Sequence, residues 1–362
     1  MKNYLLELEK HGQSIWLDFI SRKLLKSGEL EELIKNDGLK GLTSNPSIFE
    51  KAIAKTQDYD QEIYNFTGPA YELYEKLAIK DIQEAADHLR VIFDQTKGLD
   101  GFVSLEVSPG VAHDAQKTIQ EGLSLWHTVN RPNLMIKVPG TQEGMEAVRV
   151  LTSKGVNINI TLLFSVDSYE KSAQAYLAGL SDRVKQNLDI KNIQSVASFF
   201  ISRIDSKIDE KLENLGIKNL QGKAAIANAK LAYKAYEKIY NSELAKKLLA
   251  QGAHPQRLLW ASTSTKNKNY SDILYVSSLI APNTVNTLPP ATLEAFRDHG
   301  HVSDEFIKNL DDGQNIMSDL KNAGIDFSLC CEELLTEGLK LFSDAFDQLL
   351  EAIEHKLAQK KK

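Results

Sequence analysis

Residues 134–164 read LMIKVPGTQEGMEAVRVLTSKGVNINITLLF. Two short apolar runs, LMIKVPG at 134 and VNINITLLF at 156, enclose a segment of helical composition, so this stretch predicts a strand, a helix and a second strand. The same alternation extends along the whole chain. The other candidate strands are IWLDFI at 15, GLTS at 41, GFVSLEV at 101, SVASFFI at 195, RLLWAS at 257 and NTVNT at 283.

The segments between the eight candidate strands are helical in period or composition, and the clearest of them are 78–94, 112–127, 165–180 and 222–249. Eight β/α units favour a closed parallel (β/α)8 TIM barrel, with additional helices at the termini and after strand six. A doubly wound open sheet is the alternative, but no strand is followed by the GxGxxG turn of a dinucleotide fold. Because α/β barrels can exceed 250 residues, we expect one domain over 1–362.

The end of the chain predicts one long helix at about 330–358. Its apolar residues recur at spacings of three and four, and they are Leu339, Phe342, Phe346, Leu349, Leu350 and Ile353. This stripe is typical of a helix that packs on the barrel, and an oligomer interface is the alternative. Neither interpretation assigns it a part in the chemistry. The closing residues AQKKK (358–362) predict a solvated tail.

Charge and cysteine content narrow the functional classes. The chain carries 43 basic and 49 acidic side chains, a net charge of -6, so we expect no nucleic-acid partner. Its two cysteines, Cys330 and Cys331, are adjacent and can neither frame a disulfide scaffold nor form a thiolate metal site alone. The start of the chain lacks a signal-peptide pattern, and no stretch reaches the about 20 apolar residues of a membrane span. We therefore expect a cytoplasmic protein.

Three strands carry a charge where a barrel strand should be apolar on both faces. Asp18 lies in WLDFI, Glu106 in SLEVS and Lys137 in MIKVPG, each toward the end of its run. The carboxyl ends of barrel strands are where barrel enzymes place their active sites. A lone strand lysine is often an edge-strand charge that prevents aggregation, but a closed barrel has no edges. The sequence thus predicts an active site around these three residues.

A lysine in an apolar, partly cationic pocket is expected to lose its proton easily and to attack a carbonyl, forming a Schiff base. Imine formation and C–C cleavage both require proton transfers, for which Asp18 and Glu106 are the available carboxylates. Strand periodicity directs four more side chains inward, where they could orient a water and sugar hydroxyls. These residues are Asn159, Thr161, Ser198 and Phe200.

Two cations follow neighbouring strands, Arg203 in FFISRID and Lys266 in ASTSTKN. Barrel enzymes often bind phosphate in these loops, although either cation alone would be an ordinary surface residue. Asn45 precedes Pro46 and fits a helix N-cap, and its position at a strand end would also let it face a substrate. His299 and His301 lack a third ligand, so we expect solvated histidines and no metal site.

Seven or more motifs, in order from about residue 15 to residue 300, make the chain similar to transaldolases of the longer bacterial subgroup. They are WLDFISR, GLTSNPSIFEKAI, SLEVSP with AHD, NLMIKVPGT, NINITLLFS, SFFISRID, and LLWASTSTKN with APNTVNTLP. The resemblance implies a (β/α)8 barrel of the Schiff-base aldolase superfamily with no cofactor. It implies that Lys137 is the Schiff-base lysine and Asp18 the acid/base at the C4 hydroxyl. Glu106 and Thr161 would hold the water of carbinolamine dehydration.

The same resemblance assigns the substrate contacts. Asn45, Asn159 and Ser198 would hydrogen-bond the dihydroxyacetone part of the sugar, and Arg203 would bind its phosphate. Many members of the family have an arginine where this chain has Lys266. Lysine keeps the positive charge but lacks the bidentate fork of arginine.

The implied activity is transfer of a dihydroxyacetone unit from sedoheptulose 7-phosphate or fructose 6-phosphate to glyceraldehyde 3-phosphate or erythrose 4-phosphate, in the non-oxidative pentose phosphate pathway. One alternative is an aldolase-like lyase that releases free dihydroxyacetone. Phe200 argues against it, because the tyrosine typical of those relatives could protonate the enamine and phenylalanine cannot. A second alternative is a non-catalytic sugar-phosphate binding barrel. We expect sugar phosphates as partners, no membrane, and a monomer or homodimer.

Overall fold

The computed structural model describes residues 3–359 and contains a closed barrel of eight parallel strands, each paired with its neighbours in chain order. The predicted (β/α)8 barrel is therefore confirmed. The strands are β1 (Gln13–Asp18), β2 (Leu39–Thr43), β3 (Phe102–Glu106), β4 (Leu134–Pro139), β5 (Ile158–Leu163), β6 (Ser195–Phe200), β7 (Arg257–Ala261) and β8 (Thr284–Leu288).

Helices connect the strands and surround the barrel. Over residues 3–359 the α-helices are α1 (Tyr4–Lys10), α2 (Arg22–Lys26), α3 (Glu29–Asp37), α4 (Pro46–Phe49), α5 (Asp60–Asn65), α6 (Ala70–Gln95), α7 (Ala115–Val129), α8 (Gln142–Ser153), α9 (Val166–Lys185), α10 (Ser202–Asn214), α11 (Ala224–Tyr240), α12 (Glu243–Ala250), α13 (Leu274–Ser278), α14 (Pro290–His299), α15 (Glu305–Lys308), α16 (Asp312–Asn322) and α17 (Phe327–Gln359). A π-helical turn, Glu50–Ala54, follows α4, and a 3-10 turn, Pro109–Val111, follows β3.

The additional helices lie where the sequence predicts them, at both ends and after β6. One predicted helix is wrong in detail, because segment 222–249 forms two helices rather than one. The chain turns at Asn241 and Ser242, and the Ser242 hydroxyl caps α12 by accepting a hydrogen bond from the Ala245 amide at 3.4 Å. Apolar periodicity continues across this turn and conceals it, whereas serine at an N-cap is the local signal for a new helix.

The strands are buried on both faces, which explains their continuous apolar runs. Register then brings the polar exceptions together, since Glu106 on β3 is the partner of Lys137 on β4, and Lys137 is the partner of Asn159 on β5. Another charged strand residue, Arg257, begins β7 at the opposite end of the barrel. Its guanidinium forms a buried ion pair with Asp100 at 3.0 Å.

The last helix, α17, is packed on the protein along the predicted apolar stripe. Phe342, Phe346, Leu349 and Ile353 are buried, while Leu339 and Leu350 are partly buried against the core. Over the described residues no helix is long and apolar enough to cross a membrane. Residues 360–362 of the predicted tail lie outside the described residues.

Candidate active site

A cleft of about 550 Å³ opens at the carboxyl ends of the barrel strands. Strand ends and the loops that follow them supply its walls, as expected for a TIM barrel. Eight of the ten predicted site residues line it, namely Asp18, Asn45, Lys137, Thr161, Ser198, Phe200, Arg203 and Lys266. The other two, Glu106 and Asn159, lie immediately behind lining residues that they contact.

Lys137 is held at the inner end of the cleft by β4. Its Nζ lies 3.2 Å from Glu106 Oε2 and donates a hydrogen bond to the Ser44 carbonyl at 3.0 Å. The two charged side chains are only 5% and 4% exposed. The nearest charge to Nζ is therefore the Glu106 carboxylate, one of the two acid/base partners expected from the sequence. Neutral amine can form here by transfer of the ammonium proton to that carboxylate.

The pKa values of both carboxylates at the cleft are raised by burial, which disfavours a charged group. For Glu106 the attraction of Lys137 opposes the rise in pKa, and the negative charge of Asp18 adds to it. For Asp18 the opposing influences on the pKa are Lys137 and then a hydrogen bond from Thr43 Oγ1 at 2.7 Å. Groups that hold a proton more readily than a free carboxylate are suited to act as acids and bases in turn.

Thr161 presents an unpaired hydroxyl to the cleft. Its Oγ1 is buried and has no hydrogen-bond partner among the described residues. The next residue, Leu162, has a φ of 60°, which is unusual for a residue with a bulky side chain. The pairing of β5 with β6 shifts register between Ile160 and Leu163. The irregular end of β5 thus leaves the Thr161 hydroxyl free to hold a water or a substrate oxygen.

Asn159 and Ser198 form a buried hydrogen-bonded chain rather than two independent sugar contacts. The Ser198 hydroxyl donates to Asn159 Oδ1 at 2.7 Å, and Asn159 Nδ2 donates to the Ser104 hydroxyl at 3.0 Å. Ser198 lines the cleft and Asn159 does not. Asn159 is therefore placed to orient Ser198 from behind.

The position of Asn45 is compatible with both of its predicted roles, as a helix N-cap and as a substrate contact. It is the N-cap of α4, where its Oδ1 accepts a hydrogen bond from the Ile48 amide at 3.0 Å, and Pro46 is the first helical residue. It also lines the cleft. The cap uses only the side-chain oxygen, so the amide nitrogen remains available to a ligand.

The outer part of the cleft is cationic. Arg203 lies with its Cζ 5.3 Å from the centre of the Phe200 ring, and its Nη1 is buried with no hydrogen-bond partner in the described part of the chain. Burial lowers the pKa of Arg203, although a guanidinium remains charged at neutral pH. Lys266 donates a hydrogen bond to the Ser264 hydroxyl at 2.7 Å. Lys266 is exposed overall, and its pKa is lowered by partial desolvation of the ammonium group and by the positive charges of Arg203 and Lys51.

Among the lining residues that sequence reasoning did not single out, Lys51 and Phe342 bear most directly on the chemistry. Lys51 adds a third cation from the π-helical turn after α4, and the only sequence signal was its place five residues after the N-P helix start. Phe342 of α17 lies with its ring centre 5.8 Å from Lys137 Nζ. The expectation that the α17 stripe has no bearing on the chemistry is therefore wrong, because this helix supplies one wall of the site.

The histidines and cysteines that the sequence analysis singled out do not line the cleft. His299 ends α14, is exposed, and contacts Asp272 at 3.0 Å and Asp298 at 3.1 Å. No cluster of three or more potential metal-ligating side chains occurs within residues 3–359. Cys330 and Cys331 are free and buried at the start of α17.

Fold and site together define a (β/α)8 barrel with a buried lysine–carboxylate pair at the carboxyl ends of its strands. Residues 15–353 match the model of the Transaldolase/Fructose-6-phosphate aldolase family. The chain therefore belongs to this family.

Curated relatives match over nearly the full length of the chain. A protein from Trichodesmium erythraeum named Transaldolase is 47% identical, with 98% of each chain covered. A protein from Nostoc punctiforme named Transaldolase 2 is 46% identical with the same coverage, and one from Frankia alni named Transaldolase is 43% identical with 99% of each covered. Among solved structures, the catalytic domain of a chitinase from Pyrococcus furiosus aligns over 82% of this chain with 10% identity. Its TM-score of 0.28 is too low to support an argument.

Proposed function

We propose that the protein is a transaldolase that transfers a dihydroxyacetone unit from a ketose phosphate to an aldose phosphate through a Schiff base on Lys137. The donors are sedoheptulose 7-phosphate or fructose 6-phosphate, and the acceptors are glyceraldehyde 3-phosphate or erythrose 4-phosphate. The observation that carries the proposal is the Lys137–Glu106 pair, buried at 5% and 4% exposure beside a cleft that also contains Asp18. The names of the full-length relatives support the same activity.

Imine formation begins when Lys137 gives its proton to Glu106 and the neutral amine attacks the C2 carbonyl. The carbinolamine then loses its C2 hydroxyl as water, with the proton returned by Glu106. Thr161 Oγ1, which has no protein partner among the described residues, is suited to hold that water. The raised pKa of Glu106, caused first by its burial, makes both directions of this proton transfer accessible.

Cleavage of the C3–C4 bond requires removal of the C4 hydroxyl proton, and Asp18 is assigned this step. As the C3–C4 bond breaks, its electron pair flows into the iminium. This step leaves an enamine on Lys137 and a free aldose phosphate. The hydrogen bond from Thr43 fixes the orientation of the Asp18 carboxylate. The enamine then attacks the acceptor aldehyde, and Asp18 returns the proton to the new hydroxyl.

The phosphate is assigned to the cationic end of the cleft. Arg203 and Lys266 provide charge-assisted hydrogen bonds, and the hydroxyl of Ser264 lies beside them. Asn45 and Ser198 are assigned to the dihydroxyacetone hydroxyls, with Asn159 orienting Ser198. None of these steps requires a cofactor.

A lyase that releases free dihydroxyacetone must protonate the enamine. The side chain at the relevant end of β6 is Phe200, whose ring lies 5.2 Å from that of Phe164 and carries no hydroxyl. A non-catalytic binding barrel would have no use for a buried amine paired with a carboxylate, since the pair is expensive to bury. Transfer is therefore the preferred function.

One experiment tests these assignments together. Fructose 6-phosphate is incubated with erythrose 4-phosphate, and glyceraldehyde 3-phosphate and free dihydroxyacetone are measured separately. A transferase should produce glyceraldehyde 3-phosphate without free dihydroxyacetone. Release of dihydroxyacetone at the same rate as glyceraldehyde 3-phosphate would identify a lyase. Borohydride should then add a reduced three-carbon unit to the peptide containing Lys137. Lys137→Met should abolish the adduct, while Lys154→Met, at an exposed position after α8, should retain it.

We also propose that residues 1–362 act as one catalytic domain in the cytoplasm, as a monomer or homodimer. The helix α17 supports the domain assignment, because its Phe342 lines the cleft. The buried free cysteines are compatible with a reducing compartment. Gel filtration with light scattering would give the oligomeric state.

A further inference from the structure

Glu106 has a second side, toward two cavities other than the substrate cleft, which it does not line, and the proposed mechanism does not use this side. On the first side Oε2 lies 3.2 Å from Lys137 Nζ, and this oxygen makes no hydrogen bond of acceptable geometry to any described residue. Such an oxygen, 4% exposed in its side chain, is costly to bury unless a further donor reaches it.

Two small cavities adjoin this second side. Each has a volume of about 10 Å³, close to that of one water-sized sphere. Both are lined by Tyr74, Glu106 and Ser108. The first also touches Ser44, whose carbonyl accepts the hydrogen bond of the reactive lysine, and the second also touches Glu121. The two cavities therefore share a wall that includes Glu106, Tyr74 and Ser108.

The second cavity also touches residues that lie at the protein surface. Glu121 accepts hydrogen bonds from the Ser108 amide at 2.5 Å and the Ser108 hydroxyl at 2.8 Å. Tyr71 and Glu75 also line the second cavity, and Tyr71 is 38% exposed. Burial raises the pKa values of Tyr74 and Glu121, so the tyrosine keeps its proton and can both donate and accept hydrogen bonds.

The chemistry needs a path for water, and this argument rests on the proposed function. When the carbinolamine collapses, the C2–O bond breaks, the C2=N bond forms, and the departing hydroxide takes a proton to leave as water. Hydrolysis reverses each step. A sugar phosphate bound from Lys137 to Arg203 would lie between a water at C2 and the mouth of the substrate cleft.

We propose that the space between Glu106, Tyr74 and Glu121 is a side passage through which the water released and consumed at C2 exchanges with solvent. Tyr74 bridges the two cavities, and Glu121 holds the Ser108 segment that forms their common wall. Both are positioning residues that act through Glu106, and neither touches the sugar.

The test follows the oxygen atom. Fructose 6-phosphate labelled with ¹⁸O at C2 is incubated with enzyme and excess glyceraldehyde 3-phosphate, and recovered ketose is analysed by mass spectrometry. Exchange without enzyme is subtracted. Label loss is divided by the number of turnovers, measured as incorporation of carbon-labelled glyceraldehyde 3-phosphate into the recovered ketose, and rapid-quench borohydride trapping gives the imine present in the same samples. The wild type should lose its label at least once for each turnover, because released water escapes before the imine is hydrolysed.

Tyr74→Phe and Glu121→Gln should each lower this ratio by about ten-fold, the effect of losing one hydrogen bond of about 1.4 kcal/mol, with trapping at equilibrium unchanged. Tyr64→Phe is the matched control, since Tyr64 lies on α5 and lines neither cavity. It should exchange label as the wild type does.

Label retention by the wild type, or wild-type exchange in both variants, would overturn the passage while leaving the Schiff base intact. A parallel fall in trapping and melting temperature would show a structural role and also reject the passage. Absence of trapping in the wild type would instead reject the proposed function. The two failures are therefore distinguishable.

Discussion

Replacing the two phosphate cations one at a time should have unequal effects, with Arg203 the more important. Arg203 is the more buried of the two and its Nη1 has no hydrogen-bond partner among the described residues, while Lys266 is exposed and already donates to Ser264. A hydrogen bond to a charged group contributes about 1.5 to 3 kcal/mol, and exposure to solvent reduces that contribution.

These values convert to binding ratios, at ten-fold for about 1.4 kcal/mol. Arg203→Met should raise KM for fructose 6-phosphate by about 30-fold to 150-fold, from the upper part of the range for charged hydrogen bonds. Lys266→Met should raise it by about 3-fold to 10-fold, since solvent screens its charge. Lys266→Arg should be tolerated, because its planar fork can bind phosphate in a bidentate manner.

Steady-state kinetics with fructose 6-phosphate and with unphosphorylated fructose measure the effect. Arg203→Met and Lys266→Met should leave turnover of fructose nearly unchanged, because fructose has no phosphate for either cation to bind. Lys268→Met, an exposed neighbour in the same loop, is the control and should match the wild type. Equal losses on the two substrates would show that the cation is not a phosphate ligand. A larger effect at Lys266 than at Arg203 would refute the argument from burial.

Three further changes test other parts of the structure. Asp18→Asn should leave borohydride trapping intact and slow C–C cleavage by about 100-fold or more, and an equal loss of both would mean that Asp18 only shapes the pocket. Burial raises the pKa of Asp205 to about 6, so the folded state holds its proton more tightly than the unfolded state. The resulting stability is complete below about pH 4 and is lost as pH rises through about 6, by about 3 kcal/mol at most. Thermal melts from pH 4 to 7 should show this slope in the wild type and lose it in Asp205→Asn. In Gly144→Ala, an added Cβ would lie 1.9 Å from the Pro139 carbonyl oxygen, so we expect a severely lowered melting temperature, and a wild-type melt would contradict the reported geometry.

Much of the fold could be predicted because each barrel strand is a short apolar run between helical segments. Periodicity failed where a turn interrupts an apolar helical pattern, as at Asn241 and Ser242. The position of a charge along its strand decided the site, since Glu106 ends β3, Lys137 lies two residues before the end of β4, and the two residues are paired. Arg257 shows the limit of that rule. It also places a charge in a strand, but at the opposite end, where Asp100 neutralises it.

The close surroundings of the site could not be predicted, because they depend on contacts between residues distant in sequence. Glu106 was expected in the same site as Lys137, but only the register of β3 and β4 shows that the two side chains pair directly, at 3.2 Å. Asn159 was expected at the sugar, whereas its hydrogen bond with Ser198 places it one layer behind. Phe342 was missed because apolar periodicity shows that a residue is buried but not what it is buried against.

The barrel and its active site can be completed at different times, because α17 contributes to the site but not to the barrel. All eight strands have been specified by Leu288, so the barrel can close before Phe327, where α17 begins. The cleft lacks its Phe342 wall until that helix has docked. During synthesis, an intermediate with a closed barrel and an unfinished cleft would leave its reactive lysine open to passing aldehydes, and docking of the helix ends that exposure. Truncation after residue 326 should therefore yield a chain whose Lys137 is modified by small carbonyl reagents faster than in the full-length protein.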